Sequence, residues 1–185
     1  MLFRSYWWAK AAEQGAADAQ SNLGAMYSKG EGVTHDPKQA VVWFTKAAEQ
    51  GNAAAQYNLG HSYYKGEGVT RDPKQAVYWF TKAAKQGNAV AQANLGVMYE
   101  DGKGVTRDLK QAVYWWTKAA EQGNAPAQFN LALMYYTGEG VTRDPKQAVY
   151  WWTKAAEQGD AAAQVNLGLM YNKGEGVTRD PKQAV

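Results

Sequence analysis

Residues 52–87 read NAAAQYNLGHSYYKGEGVTRDPKQAVYWFTKAAKQG, and this stretch decides the fold. Asn52 is a good helix N-cap, because its side-chain oxygen can accept a hydrogen bond from a first-turn N–H. The residues that follow, alanines with Gln56, Leu59 and Tyr63, favour a helix as far as Lys65. Gly66 ends it, since glycine takes the left-handed backbone that a helix C-terminus needs. Gly66 to Arg71 then reads as a loop. Asp72 caps a second helix, with Pro73 at its first position and Gln75 three residues after the cap. That helix runs through Trp79 to another terminating glycine, Gly87. The unit is two antiparallel helices, called A and B here, and no strand signal competes.

The unit recurs. KAAEQG or a near copy ends at Gly15, Gly51, Gly87, Gly123 and Gly159, and Asp36, Asp72, Asp108, Asp144 and Asp180 keep the same 36-residue step. The chain has 185 residues, five steps and five left over. Helix pairs this short cannot bury their apolar faces alone and stack on their neighbours, so a fixed period predicts an all-α superhelical solenoid in place of one globular domain. The expected organisation is a single solenoid over 1–185. It comprises a partial helix B (1–15), repeats at 16–51, 52–87, 88–123 and 124–159, and a truncated repeat at 160–185. Trp7, Trp43, Trp79, Trp115 and Trp151 recur in helix B, and Leu23, Leu59, Leu95, Leu131 and Leu167 in helix A. Recurrence in every copy marks these as core. Gly24, Gly60, Gly96 and Gly168, with Ala132 in the fourth copy, weaken a helix interior, and close helix approach is the expected reason.

Composition sets bounds. Hydrophobic residues are 45% and charged residues 20%, enough to bury a core. No apolar run approaches the roughly 20 residues of a membrane helix, and residues 1–15 hold no apolar signal-peptide core. Cysteine is absent, which excludes disulfides and thiolate chemistry, and two histidines make a histidine metal site unpromising. No metal or other cofactor is expected, and the compartment stays open. A formal charge of +3, the difference between 20 basic and 17 acidic residues, argues only weakly for a nucleic-acid partner.

The pattern A-Q-x-N-L-G-x-M-Y at Ala91–Tyr99, G-x-G-V-x-x-D at Gly102–Asp108 and K-x-A-x-x-W-x-x-K-A-A-E-Q-G at Lys110–Gly123 resembles the Sel-1-like repeat, a relative of the tetratricopeptide repeat. The resemblance covers essentially the whole chain. It implies a right-handed superhelix with A helices lining a concave face. It also implies a scaffold that binds peptides or proteins, often in bacterial signalling or host interaction. One secreted branch clamps each repeat with a disulfide, and a chain without cysteine stands outside it. The departures are Leu109 in place of proline and Lys85 in place of glutamate.

The copies serve as controls for one another. Four positions of helix A differ strongly between copies. The second of these carries Ser21, Tyr57, Ala93, Phe129 and Val165; the third carries Ala25, His61, Val97, Leu133 and Leu169; the fourth carries Ser28, Tyr64, Glu100, Tyr136 and Asn172. At about 100° per residue they form one stripe. A drifting solvent face should be charged, yet Tyr57, Tyr64, Phe129, Leu133 and Tyr136 stand here, as exposed contact surfaces often do. Flanking the stripe, Asn22, Asn58, Asn94, Asn130 and Asn166 occupy a mid-helix position that asparagine does not favour. Their amides could donate to and accept from a partner's extended backbone, or bond a neighbouring helix or loop. These asparagines, with Tyr57, His61, Tyr64, Phe129, Leu133 and Tyr136, are the candidate partner-binding residues.

Catalytic signals are weak. Gly66-x-Gly68 lacks the preceding strand and following Lys-Ser or Lys-Thr of a phosphate loop. Ser62-Tyr63-Tyr64-Lys65 matches S-x-x-K without its S-D-N and K-T-G partners, and Ser62 replaces a core methionine. His61 reads as a surface histidine. No enzymatic activity is expected. The alternatives are an RNA-binding helical repeat, disfavoured because Arg71, Arg107, Arg143 and Arg179 should lie away from the stripe, and a self-assembling solenoid. Asp180 to Val185 reads as the start of an unfinished B helix. The expectation is a segment of a longer array, or ends that pair with another copy.

Overall fold

The computed structural model of the chain describes residues 2–180 and 182, with side chains from residue 6 onward. Ten helices follow one another, with no strand among the described residues. The B helices are α1 (Leu2–Glu13), α3 (Pro37–Glu49), α5 (Pro73–Lys85), α7 (Leu109–Glu121) and α9 (Pro145–Glu157). The A helices are α2 (Ala17–Lys29), α4 (Ala53–Lys65), α6 (Ala89–Asp101), α8 (Ala125–Thr137) and α10 (Ala161–Lys173). The fold is all-α, built of antiparallel helix pairs.

The caps act where the sequence places them. Asp72 Oδ1 accepts from the Lys74 and Gln75 N–H groups at 2.9 and 3.1 Å, and Asp36, Asp108 and Asp144 repeat the arrangement. Asn52 Oδ1 accepts from Ala55 N–H at 2.8 Å, matched by Asn88, Asn124 and Asp160. Leu109 in place of proline leaves the start of α7 unchanged. Lys182 N–H donates to Asp180 Oδ1 at 3.0 Å, but the expected B-helix start at Pro181 to Val185 otherwise lies outside the described residues.

The chain divides into two compact units. The first is Met1–Ala91 with Lys103–Val105, the second Gln92–Gly102 with Thr106–Val185. In the first, α2 packs chiefly on α3 and α4 on α5, with lesser contacts from α1 to α2 and α3 to α4. One cluster joins Ala12, Ala19 and Leu23; another joins Ala40, Phe44, Ala47, Ala48, Ala55, Leu59 and Trp79. In the second unit α8 packs chiefly on α9. Its clusters centre on Trp116 with Ala127 and Leu131, and on Trp152 with Ala132 and Ala148.

The recurring tryptophan is not uniformly core. Trp79 and Trp115 are buried, Trp43 and Trp151 half-buried, and Trp7 is 63% exposed. The residue after it is the deeper anchor: Phe44, Phe80, Trp116 and Trp152 are at most 3% exposed. The reason is direction. The second ring turns into its own A–B pair, and a methyl at Gly60 would stand 2.7 Å from Phe80 Cδ1. The tryptophan instead packs between its own A helix and the preceding B helix. Trp43 packs on Ala12, Ala19 and Leu23, Trp79 on Ala48, Ala55 and Leu59, and Trp151 on the Ala120–Ala127–Leu131 cluster. Trp7 has no described pair before it. The helix-A glycine thus admits an aromatic ring to the backbone, a more specific role than helix approach alone. In the third copy the Trp116 Nε1–H donates to the Ala93 carbonyl at 3.2 Å past Gly96; in the fourth, beside Ala132, the buried Trp152 Nε1–H has no partner.

A glutamine ladder ties the two helices of each repeat to each other and to the preceding B helix. Gln50 Nε2 donates to Gln20 Oε1 at 2.7 Å, and Gln86 to Gln56 likewise in the first unit. Gln122 to Gln92 and Gln158 to Gln128 repeat it in the second. Gln20, Gln56 and Gln128 each donate in turn to an alanine carbonyl eight residues back, all at 3.1 Å. These side chains are buried, and the ladder satisfies polar groups that burial would otherwise penalise.

Candidate partner-binding face

The stripe is uneven: Tyr57, His61, Tyr64, Phe129, Leu133 and Tyr136 are half-buried, whereas Ser21 is buried and Val165 and Leu169 are exposed. In the first unit the Tyr57 ring lies 5.8 Å from Phe80 and 6.2 Å from His61, and Tyr64 is likewise half-buried. In the second, Phe129, Leu133 and Tyr136 border the Trp152 cluster, with the Tyr136 and Trp152 rings 5.5 Å apart. One edge of each side chain is anchored in the core and the other faces outward. The wall is therefore preorganised, so ordering it for a partner costs little side-chain entropy.

The asparagines differ from the glutamines. Asn22 is exposed and Asn58, Asn94, Asn130 and Asn166 are half-buried. Among the described residues, none of these five side chains hydrogen-bonds within the chain, whereas each cap asparagine and ladder glutamine does.

The arginines do not lie away from the stripe. Arg71, Arg107, Arg143 and Arg179 each donate Nε–H to the carbonyl of the fourth stripe residue, Tyr64, Glu100, Tyr136 and Asn172, at 2.9–3.1 Å. They satisfy the last turn of each A helix, where carbonyls lack helical partners. Arg143 also stands over the Tyr136 ring, 5.7 Å from its centroid, and pairs with Glu175. Glu100 has its carboxyl pushed above the usual value, by burial first, then by Asp101 and Glu139, against the opposing pull of Arg107.

Two openings were not foreseen. In the first unit a cavity of about 600 Å³ lies between Trp8 and the Asn22–Gly32 stretch of α2 and its loop. In the second, one of about 380 Å³ lies where Tyr150, Trp151 and Lys154 face Glu121, Gly123 and Gln128. The half-exposed Tyr78, Tyr114 and Tyr150, each edge-on to its neighbouring tryptophan at 4.9 Å, also escaped notice. Comparing copies draws attention to positions that differ strongly, and this one is tyrosine in four copies, Tyr6, Tyr78, Tyr114 and Tyr150.

Ser62 is buried, as a core substitution would be. Among the described residues no group of three or more histidine, cysteine, aspartate or glutamate side chains could hold a metal, and no helix is long and apolar enough to cross a membrane.

The Sel1 repeat pattern matches residues 6–15, 17–52, 53–88, 89–124, 125–160 and 161–185. Among solved structures, a protective antigen of uropathogenic Escherichia coli, c5321, displaying an SLR fold, is 45% identical with a TM-score of 0.93; the match covers 96% of this chain and 38% of that one. A Sel1 repeat protein from Oxalobacter formigenes is 40% identical with a TM-score of 0.86, covering 92% of this chain and 68% of that one. Helicobacter pylori cysteine rich protein B is 28% identical with a TM-score of 0.55, covering 72% of this chain and 96% of that one. No curated protein sequence matches. The chain spans little more than a third of the length of the Escherichia coli relative. Sel1 repeat scaffolds generally mediate protein–protein interactions and are generally non-catalytic. With the repeat matched from residue 6 to residue 185, the chain belongs to the Sel1 repeat family.

Proposed function

We propose that this protein is a non-enzymatic scaffold holding an extended peptide or protein segment on the helix-A face that the resemblance makes concave. The observation that carries this reading is the row Asn22, Asn58, Asn94, Asn130 and Asn166. It is a recurring amide, costly in mid-helix, with no side-chain hydrogen bond among the described residues. An amide that both donates and accepts matches a peptide group of an extended strand. Tyr57, His61 and Tyr64 in the first unit, and Phe129, Leu133 and Tyr136 in the second, stand beside it as a half-buried wall and differ between copies, so they carry the choice of partner.

The test is the double variant Asn58→Ala/Asn130→Ala. It removes amides without touching the packing of Tyr57 and Phe129. Affinity for a randomised hexapeptide library should fall by about tenfold or more, two lost hydrogen bonds at about 1 kcal/mol each, while the thermal midpoint holds. Unchanged affinity sinks the proposal.

A further inference from the structure

The copies differ in the sign of charge at one loop position. It carries Glu31, Glu67, Glu139 and Glu175, but Lys103 in the third copy. In the second unit Arg143 pairs with Glu175, 32 residues on. Arg107 has carboxyls around it as well, since Glu100 feels its pull together with the push of Glu139. In the first unit the same 32-residue step leads from Arg71 to Lys103. The loop is docked in that register: a methyl on Gly104 would overlap the Pro73 carbonyl, so Lys103 stands beside the start of α5. The acid that completes the pair at Arg143 is therefore a base at Arg71.

Arg71 is exposed and donates Nε–H to the Tyr64 carbonyl at 3.1 Å. Among the described residues it forms no ion pair, and Glu67 of its own loop forms none with it. Lys103 has an interaction of its own within the chain, so the unmet donors are those of Arg71. The Nε bond holds the guanidinium in place. Its other N–H groups form the fork that grips a carboxylate through parallel bonds. Tyr64, whose carbonyl anchors it, belongs to the helix-A stripe.

Resting on the partner-binding reading above, we infer that Arg71 selects an aspartate or glutamate side chain of the bound segment, which takes the place that Glu175 fills for Arg143. Lys103 adds like charge beside it and repels a basic residue. A nucleic acid needs a run of open cations along its backbone, and Arg143 is already neutralised by Glu175. One carboxylate at the second repeat fits the charge pattern, and the amides of helix A hold the backbone around it.

The experiment screens the full chain against a positional-scanning library of acetylated, amidated hexapeptides, so that side chains carry the only carboxylates. The key variant is Lys103→Glu, which gives Arg71 the residue that four other copies carry, so folding is not at stake. The parent should prefer aspartate or glutamate at one library position. Lys103→Glu should lower that preference about fivefold, the upper range of an exposed ion pair, and leave the other positions alone. Lys110→Glu makes the same change of charge in the second unit and should leave the preference intact. A parent with no acidic preference, or a preference that survives in Lys103→Glu, overturns the inference. An equal loss in Lys110→Glu does so too, because net charge alone then attracts the peptide. Tighter binding of a single-stranded RNA oligonucleotide than of any acidic peptide also overturns it. If Asn58→Ala/Asn130→Ala removes peptide binding while Lys103→Glu keeps the preference, the scaffold reading stands and the acidic contact alone fails. If neither variant alters binding, both fail.

Discussion

Gly68 sits at φ +72° with its α-carbon turned against the Pro37 carbonyl of the preceding repeat, where a methyl would overlap the oxygen. Gly104, Gly140 and Gly176 meet Pro73, Leu109 and Pro145 in the same way. Gly51 also has a positive φ, +92°, but nothing lies within 4 Å of a methyl placed there. The two therefore separate backbone strain from contact. Gly51→Ala should lose only the left-handed penalty, about 1–2 kcal/mol, and Gly68→Ala clearly more, because the loop must leave α3. Urea unfolding measures both, and equal midpoints would contradict the docking role. Glu100 makes a second prediction at this scale. A carboxyl whose value the fold raises binds its proton more tightly folded than unfolded, so its ionised form opposes folding. Stability at this site rises as pH falls from neutral through the raised value. Glu100→Gln should be more stable at neutral pH and show a flatter profile on acidification. A parent and variant with superimposable thermal profiles from about pH 7 to about pH 4 would refute it.

At the scale of the helix, the two amide rows of helix A look alike in sequence and differ in the structure. Gln56 is buried, donates to the Ala48 carbonyl at 3.1 Å and accepts from Gln86 at 2.7 Å. Asn58, two residues on and pointing elsewhere, does neither. Gln56→Leu should cost about 1–3 kcal/mol, because it removes two hydrogen bonds at about 0.5–1.5 kcal/mol each. Asn58→Ala should fall within about 0.5 kcal/mol of the parent or above it, since alanine is the better helix former. Chemical denaturation of the two single variants decides the point. A large loss in Asn58→Ala would return the asparagine row to a structural role. The helix limits themselves were legible. Asp72 with Pro73, and Asn52 with Gly66, bracket α5 and α4 because capping and left-handed termination are local chemistry. The ladder was not legible, because its partners stand 30 residues apart and one glutamine resembles another in a string.

Across the whole molecule the core is a series of local clusters, each built by neighbouring helices, so stability is expected to sum over neighbours. The tryptophan series tests this. Trp79→Ala should cost about 3–5 kcal/mol, since Trp79 is buried against α3 and α4, while Trp7→Ala at a 63% exposed site should stay within about 0.5 kcal/mol. Equal losses in calorimetry would mean that the position matters for a reason other than burial between two helices. The period, the helix limits, the capping residues and the family were determined by the sequence alone, because each rests on chemistry that acts within a few residues and is repeated for checking. The tertiary structure decided which of two adjacent aromatics is the anchor and that Tyr57, Tyr64, Phe129 and Tyr136 are half-buried. It also decided that the glutamines are bonded and, among the described residues, the asparagines are not. Those outcomes depend on which neighbour a side chain reaches across helices, and spacing along the chain does not contain that information.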